Sequence, residues 1–188
     1  EQLSGGGVAD GTAGRINDAS DNFHTLYTDI SNSFAGMPNN WNSPPSDFWS
    51  PGMSLATLDA SFNDLTGDIP EGIGDLVNLT FLDLAFNELS GDIPESIGYL
   101  VNLEELILND NQLTDEIPAT LGNIIGLKNL KLYGNQLTGG IPASLGELEN
   151  LELFWLHKNQ LTGPFPSWIG SLQNVTHLKL YENQLTGA

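Results

Sequence analysis

The sequence predicts an α/β repeat fold, a solenoid with a parallel concave β-sheet and short helical or 3-10 turns on its convex side. Three observations predict it. A period of 24 residues starts at Leu55, every period opens with apolar residues spaced as in a strand, and five of the periods continue with a proline and a glycine. One such unit cannot bury its own apolar residues, so the units must stack.

The period is visible as aligned columns, in which places are counted from the first apolar residue of each repeat. Place one holds Leu55, Leu79, Leu103, Leu127, Leu151 and Val175. Place nine holds Asn63, Asn87, Asn111, Asn135, Asn159 and Asn183, and a leucine follows two residues later, from Leu65 to Leu185. Places sixteen and twenty hold Pro70, Pro94, Pro118, Pro142 and Pro166, and Gly74, Gly98, Gly122, Gly146 and Gly170.

Each column has a physical role. The segment from Leu103 to Leu108 alternates apolar and variable residues, as a strand does, and its leucines are expected to point inward. The asparagine turns the chain away from the sheet, where its buried amide can satisfy backbone groups of neighbouring turns. The proline and glycine shape the return stretch, in which a short helical turn brings residues such as Ile97 and Leu100 back to the core.

These units, L-x-x-L-x-L-x-x-N-x-L-[TS]-G-x-[IF]-P-x-x-[LI]-G-x-L, resemble the plant-type class of leucine-rich repeats. That class includes receptor-kinase ectodomains and polygalacturonase-inhibiting proteins, and similar repeats occur in algal and bacterial surface proteins. The resemblance covers residues 55–188 and implies a leucine-rich-repeat solenoid with a binding function. Departures are few: Ala60 replaces a core leucine, Asp115 replaces the glycine of place thirteen, and Phe154 fills a leucine place.

The sequence divides into two regions. Residues 1–54 do not repeat and are expected to cap the first coil, with a flexible start, a helix and a lid rich in tryptophan and proline that includes Trp41 and Trp49. Residues 55–188 hold six leucine-rich repeats, the last incomplete. Because the sixth repeat has no capping segment, we expect either a longer natural chain or a neighbouring subunit at that uncapped carboxyl-terminal end.

Composition excludes several classes of function. The 188 residues carry 24 acids and five bases, a net charge of −19, which repels nucleic acid and anionic membrane. The absence of cysteine excludes disulfides and thiolate metal sites. No apolar run approaches the roughly 20 residues that span a bilayer, so we expect no membrane insertion.

No catalytic residues are predicted. The sequence contains no Gly-rich phosphate loop, H-E-x-x-H, G-x-S-x-G or cysteine nucleophile, so we expect no enzyme activity and no cofactor. His157 and His177 are predicted to lie on adjacent strands, but a third strong ligand is not evident. We therefore expect no metal site, and we expect both histidines to be exposed.

Charge is distributed unequally along the repeats. Residues 1–126 hold 20 acids and one base, whereas residues 127–188 hold four acids and four lysines. Places three, five, seven and eight project from the concave face in this repeat class, and aromatic and cationic residues accumulate there in repeats four to six. The candidate ligand-binding residues are Lys131, Tyr133, Trp155, His157, Lys158, His177, Lys179 and Tyr181.

Three functions remain open. The leading hypothesis is an extracellular or cell-surface recognition module that binds a protein or an acidic polysaccharide. The alternatives are a structural subunit or fragment of a larger surface assembly, and an ice-binding protein with a regular threonine column from Thr66 to Thr186. Asn78 and Asn174 begin N-glycosylation sequons, so a secreted protein would be a candidate glycoprotein.

Overall fold

The computed structural model describes residues 54–187, in which one short strand from each repeat joins a single parallel sheet. The predicted capping region before residue 54 lies outside the described residues. Strands pair with a shift of 24 residues, so that Leu106 lies opposite Leu130. The strands are Thr57–Asp59, Phe81–Asp83, Glu105–Ile107, Asn129–Lys131, Leu153–Trp155 and His177–Lys179.

The alternation of each strand separates core from surface. Leu106 and Leu130 are fully buried, whereas Glu105 and Lys131 on either side of them remain partly accessible. Phe154, which replaces a leucine, is also fully buried, and its ring lies 6.4 Å from that of Trp168. The predicted inward leucine columns therefore form one continuous apolar core along the solenoid.

Short 3-10 helices form the convex side, as predicted. Each follows the proline of place sixteen, whose ring fixes φ near the extended value that precedes the turn, as at Pro94 with φ −65° and ψ 141°. Ile97 and Leu100 are both fully buried, which confirms their predicted return to the core. The helices are Glu71–Asp75, Glu95–Tyr99, Ala119–Asn123, Ala143–Glu147 and Ser167–Ser171. None of the helices in this part of the chain has the length and apolarity to cross a bilayer.

The asparagine column forms a ladder of hydrogen bonds between successive repeats. The Oδ1 atom of Asn111 accepts from the backbone N–H of Leu89 at 3.0 Å, in the preceding repeat. Its Nδ2 donates to the carbonyl of Leu84 at 2.9 Å, also in the preceding repeat, and to that of Leu108 at 3.2 Å in its own. The predicted structural role of this amide is confirmed.

A second, smaller sheet was not predicted. Strands Thr66–Asp68 and Glu88–Ser90 pair in parallel. At the equivalent places of later repeats, isolated parallel bridges join Glu116 with Thr138 and Pro164 with Thr186. Its partners are 22 residues apart rather than 24. The threonine column lies in this row of backbone pairings, so its residues have a backbone-pairing role in the solenoid.

Two places in every repeat adopt left-handed backbone. Place thirteen is glycine in five repeats and Asp115 in the other, which has φ 61°. Place eight is glycine only at Gly134, and elsewhere it holds charged residues or, in the first two repeats, Phe62 and Phe86, both with φ 55°. A side chain costs roughly 1–2 kcal/mol in this conformation, and a phenylalanine has no polar group to form a compensating local hydrogen bond. Phe62 and Phe86 therefore occupy a backbone conformation that is unfavourable for their side chains.

The glycine of place twenty allows neighbouring convex turns to touch. A Cβ added to Gly98 would lie 2.5 Å from both the carbonyl oxygen and the Cβ of Thr120 in the next repeat. A Cβ at Gly170, the same place in the fifth repeat, would meet nothing within 4 Å among the described residues.

We therefore predict that Gly98→Ala lowers the free energy of unfolding by about 1–3 kcal/mol, the usual cost of overpacking. Gly170→Ala is the matched control and should change it by less than about 0.5 kcal/mol. Urea unfolding of both variants measures the difference. Equal losses would show that the close approach at Thr120 does not limit the packing of the turns.

The asparagine ladder yields a second prediction. Asn111→Ala leaves the buried N–H of Leu89 without its acceptor and removes one of the two amide donors to each of the carbonyls of Leu84 and Leu108, so we expect a loss of about 1–3 kcal/mol in the free energy of unfolding. Gln112→Ala, at the exposed neighbouring place, serves as the control. An Asn111→Ala melting temperature equal to that of the parent would contradict a structural role of this amide.

Candidate functional site

Three aromatic rings stack at the centre of the concave face in repeats four to six. The ring centroids of Tyr133 and His157 are 4.4 Å apart with an interplanar angle of 14°, and those of His157 and Tyr181 are 4.5 Å apart with the rings tilted by 31°. His157 is only 5% exposed, so the expectation of an exposed histidine at this position was wrong. The reason is the repeat itself, which places a tyrosine on each side of the imidazole.

Trp155 lies beside this stack, between two lysines. The parallel register aligns Lys131, Trp155 and Lys179 on adjacent strands. The Nζ atoms of Lys131 and Lys179 lie 5.2 and 3.8 Å from the indole ring centroid, which is cation–π geometry. The Nε1 of Trp155 and the Nδ1 of His157 are buried and make no hydrogen bond. The site thus combines an aromatic surface with two cations and two unused polar ring atoms.

The environment shifts the titration of two ring groups. Burial, followed by the positive charges of Lys179 and Lys158, holds the pKa of His157 below its ordinary value, against the opposing effect of two carboxylates. Burial and the neighbouring Asp110 raise the pKa of the Tyr133 hydroxyl. Near neutral pH both groups are therefore neutral, and the positive charge of the site comes from its lysines.

The remaining predicted residues lie around this centre. Tyr181 is 52% exposed and forms the outer surface of the stack. Lys158 is exposed in a left-handed turn with φ 56°. His177 is exposed, as expected, and its Nδ1 lies 2.9 Å from the Oγ1 of Thr176. Within residues 54–187, no group of three or more His, Asp or Glu side chains has metal-binding geometry.

The acidic half of the concave face contains an arrangement that sequence reasoning did not identify. The rings of Phe62 and Phe86 stack with centroids 4.3 Å apart and an interplanar angle of 13°. Asp59 and Asp83 lie opposite each other in the sheet register. The signal in the sequence was two phenylalanines at place eight of consecutive repeats.

The sequon asparagines occupy a place in the repeat that forms a second ladder of side-chain hydrogen bonds. Asn174 is exposed, and its Nδ2 donates to the carbonyl of Glu149 in the preceding repeat at 2.8 Å. Asn102 and Asn150 make the equivalent bonds. Asn78 occupies the same place and is also exposed. Both sequons therefore have accessible side chains away from the aromatic site.

Comparisons with known proteins identify the repeat. The Leucine Rich Repeat family matches five segments, residues 54–76, 78–100, 102–124, 126–148 and 150–172. No curated protein matches the sequence.

Solved structures match between 67% and 78% of the chain. The ectodomain of the Arabidopsis thaliana receptor kinase GASSHO1/SCHENGEN3, in complex with CASPARIAN STRIP INTEGRITY FACTOR 2, is 47% identical with a TM-score of 0.70, over 71% of this chain and 16% of that one. The Arabidopsis receptor kinase HAESA, in complex with the peptide hormone IDA and the co-receptor SERK1, is 43% identical with a TM-score of 0.66, over 67% and 21%.

A third match is to a shorter protein. The BIR3–SERK2 complex of Arabidopsis thaliana contains a chain that is 31% identical with a TM-score of 0.65, over 78% of this chain and 74% of that one. The chain therefore spans about a fifth or less of the length of the two larger receptors and most of the length of this one.

The buried imidazole yields a pH prediction. The unfolded chain has a histidine pKa near 6.5, and the folded value is lower, so the unfolded state binds more protons between the two values. The contribution of His157 to stability is complete above about pH 6.5 and is lost as the pH falls through the folded pKa. His157→Phe keeps a flat ring between the tyrosines and removes the titration.

We expect the melting temperature of the parent to fall more than that of His157→Phe between about pH 7.5 and 5.5. Both proteins carry the same carboxylates, so the carboxylate contribution to the pH dependence of the melting temperature cancels in the comparison. The same pH slope in both would contradict the role given to His157.

Proposed function

The chain belongs to the leucine-rich-repeat family, with repeats of the plant type, and on that premise we propose that it is a recognition module whose concave face binds a protein or an acidic polysaccharide. A fold alone does not select a ligand, so the proposal rests on the residues of the site. The observation that carries it is Trp155 between Lys131 and Lys179, next to the stacked rings of Tyr133, His157 and Tyr181.

The aromatic residues supply the apolar part of the binding surface. The core is complete without them, because the buried leucines fill it. Tyrosine and tryptophan offer large rigid surfaces at low entropic cost and are enriched where proteins bind ligands. A flat sugar ring or an apolar side chain can stack on such a surface.

The lysines supply the charge. In residues 54–187 every cationic side chain other than His lies in repeats four to six, and one of the four, Lys128, pairs with Glu104 at 2.6 Å. Lys131, Lys158 and Lys179 therefore form the basic part of a protein with net charge −19. An anionic group is attracted to this part of the surface and repelled elsewhere.

The proposed setting is extracellular, at the cell surface or secreted, and the proposed role is non-enzymatic. Two of the solved relatives named above are receptor kinases, the first of them represented by the ectodomain of a membrane receptor, and both are in complex with a named factor or peptide hormone. The exposed sequons at Asn78 and Asn174 suit glycosylation in a secretory route. A glycan on Asn174 replaces one hydrogen of Nδ2 and leaves the other for the bond to Glu149.

The test uses two defined anionic probes, a carboxylated oligosaccharide and an aspartate-rich peptide, with titration calorimetry. We predict that Trp155→Ala weakens binding by about 2 kcal/mol or more, as expected for an anchor residue. Combining Lys131→Gln with Lys179→Gln should also weaken binding and reduce its salt dependence. The two probes distinguish a polysaccharide ligand from a protein ligand.

The control matches the change in net charge. Lys128→Glu alters the charge by the same two units as the double glutamine variant, but it acts at the ion pair with Glu104. We expect it to leave probe binding nearly unchanged. If Lys128→Glu weakens binding as much as the double variant does, only overall charge matters and the proposed site is wrong.

A further inference from the structure

We propose that a second surface, formed by the stacked rings of Phe62 and Phe86 and the carboxylates of Asp59, Asp83 and Asp110, binds an arginine-bearing segment of a partner protein. It lies in repeats one to three of the concave side, and Asp110 is the member that borders the Trp155 site, next to Tyr133. Its charge is opposite to that of the Trp155 site, so it selects a different ligand chemistry.

The two phenylalanine rings form a platform that faces solvent. Phe62 is 72% exposed and Phe86 is 42% exposed, although the rings stack 4.3 Å apart. Their backbones are fixed to the next repeat, since the N–H of Phe62 donates to Ala85 at 2.9 Å and that of Phe86 to Asn109 at 3.0 Å. A rigid, exposed aromatic pair has the composition and the preorganisation of a protein-binding surface.

The repeat does not need these rings in order to fold. Place eight requires a left-handed backbone, and Gly134 meets that requirement in the fourth repeat without a side chain. Phe62 and Phe86 adopt the same backbone with a bulky group that cannot form a local hydrogen bond. Two apolar residues at consecutive unfavourable, solvent-facing places point to a role at the surface.

Carboxylates occupy neighbouring concave places, three residues before each phenylalanine and one repeat after Phe86. Asp59 and Asp83 are register partners on adjacent strands, about one strand spacing of 4.8 Å apart. The backbone N–H groups of Ser61 and Ala85 donate to them at 3.0 and 2.9 Å and so orient both carboxylates. Asp110 occupies place eight of the third repeat and extends the column of the two rings.

These carboxylates lack a nearby balancing charge from their own repeats. Residues 54–126 contain neither lysine nor arginine. Burial, together with the negative charges of Asp59 and Glu105, raises the pKa of Asp83, even though the backbone N–H of Ala85 and the charge of Lys131 act in the opposite direction. A cation supplied by a ligand would relieve this repulsion.

Arginine suits this surface better than lysine does. Its guanidinium group is planar, stacks on an aromatic face, and presents a fork of N–H donors that can reach two neighbouring carboxylates. A lysine ammonium can lie over an aromatic ring, as Lys179 does at Trp155, but it has neither a planar face nor a fork of donors for two carboxylates. An apolar side chain beside the arginine would cover the remaining ring surface.

Charge also argues against two other occupants. Residues 1–53 of this chain carry six acids and a single base, Arg15, and a second copy of the chain carries a net charge of −19. Both are repelled by the carboxylates around the platform. The occupant that fits is a basic segment of another protein.

The experiment uses the full chain and labelled pentapeptides that alternate leucine with arginine, lysine or glutamate, at about 0.15 M salt, with binding followed by fluorescence anisotropy. We expect the arginine peptide to bind most tightly. Combining Phe62→Asn with Phe86→Asn should weaken it about tenfold or more. The melting temperature should not fall, because asparagine tolerates positive φ. Asp59→Asn combined with Asp83→Asn should weaken it as well.

Two controls separate this surface from the one proposed above. Phe165→Asn removes another exposed phenylalanine, and Trp155→Ala alters the other site; both should leave arginine-peptide binding unchanged. The proposal is overturned if the arginine peptide does not bind, if the lysine peptide binds equally well, or if Phe165→Asn has the same effect. It is also overturned if the Phe62 and Phe86 changes alter the oligomeric state instead, because a second copy would then be the occupant.

Discussion

The side-chain amide of place nine is the interaction on which the rest of the solenoid depends. At the end of each strand the chain turns, and its N–H and C=O groups leave the sheet while still buried. An unpaired group there costs about 1–3 kcal/mol. The asparagine accepts from the preceding repeat and donates both to that repeat and to its own, as Asn135 does with Leu113, Leu108 and Leu132. The same bonds recur from repeat to repeat, and they hold the 24-residue register.

That register determines which side chains lie next to each other on the concave face. Because residues 24 apart in sequence lie side by side, a side chain introduced by a single substitution lies next to side chains of the repeats on both sides. Tyr133, His157 and Tyr181 occupy one place in three consecutive repeats, and their rings therefore stack at about the distance that separates strands. The core and the ladder use the other places, so this surface is free to vary without loss of the fold.

The fold was predictable because periodicity carries it. The leucine columns, the asparagine ladder and the convex turns each follow from a residue type at a fixed place, and all are present. The second sheet was not predictable from the same columns, because its partners are 22 residues apart and its strands have no apolar alternation. The burial of His157 was missed for a different reason. A place in the repeat indicates which side of the sheet a residue faces, whereas its exposure depends on the size of the side chains beside it.

Because Lys131 and Lys179 lie on either side of Trp155, the spacing of the strands fixes the distance between the two cations. The two lysines lie on strands separated by two spacings, so their backbones are about 10 Å apart along the solenoid axis. An extended chain that carries negative groups at that interval matches both cations only if it lies across the strands. A chain parallel to a strand meets one cation and passes the other. The stacking direction of the repeats thus sets both the spacing of negative groups and the orientation that a ligand needs in order to contact both lysines.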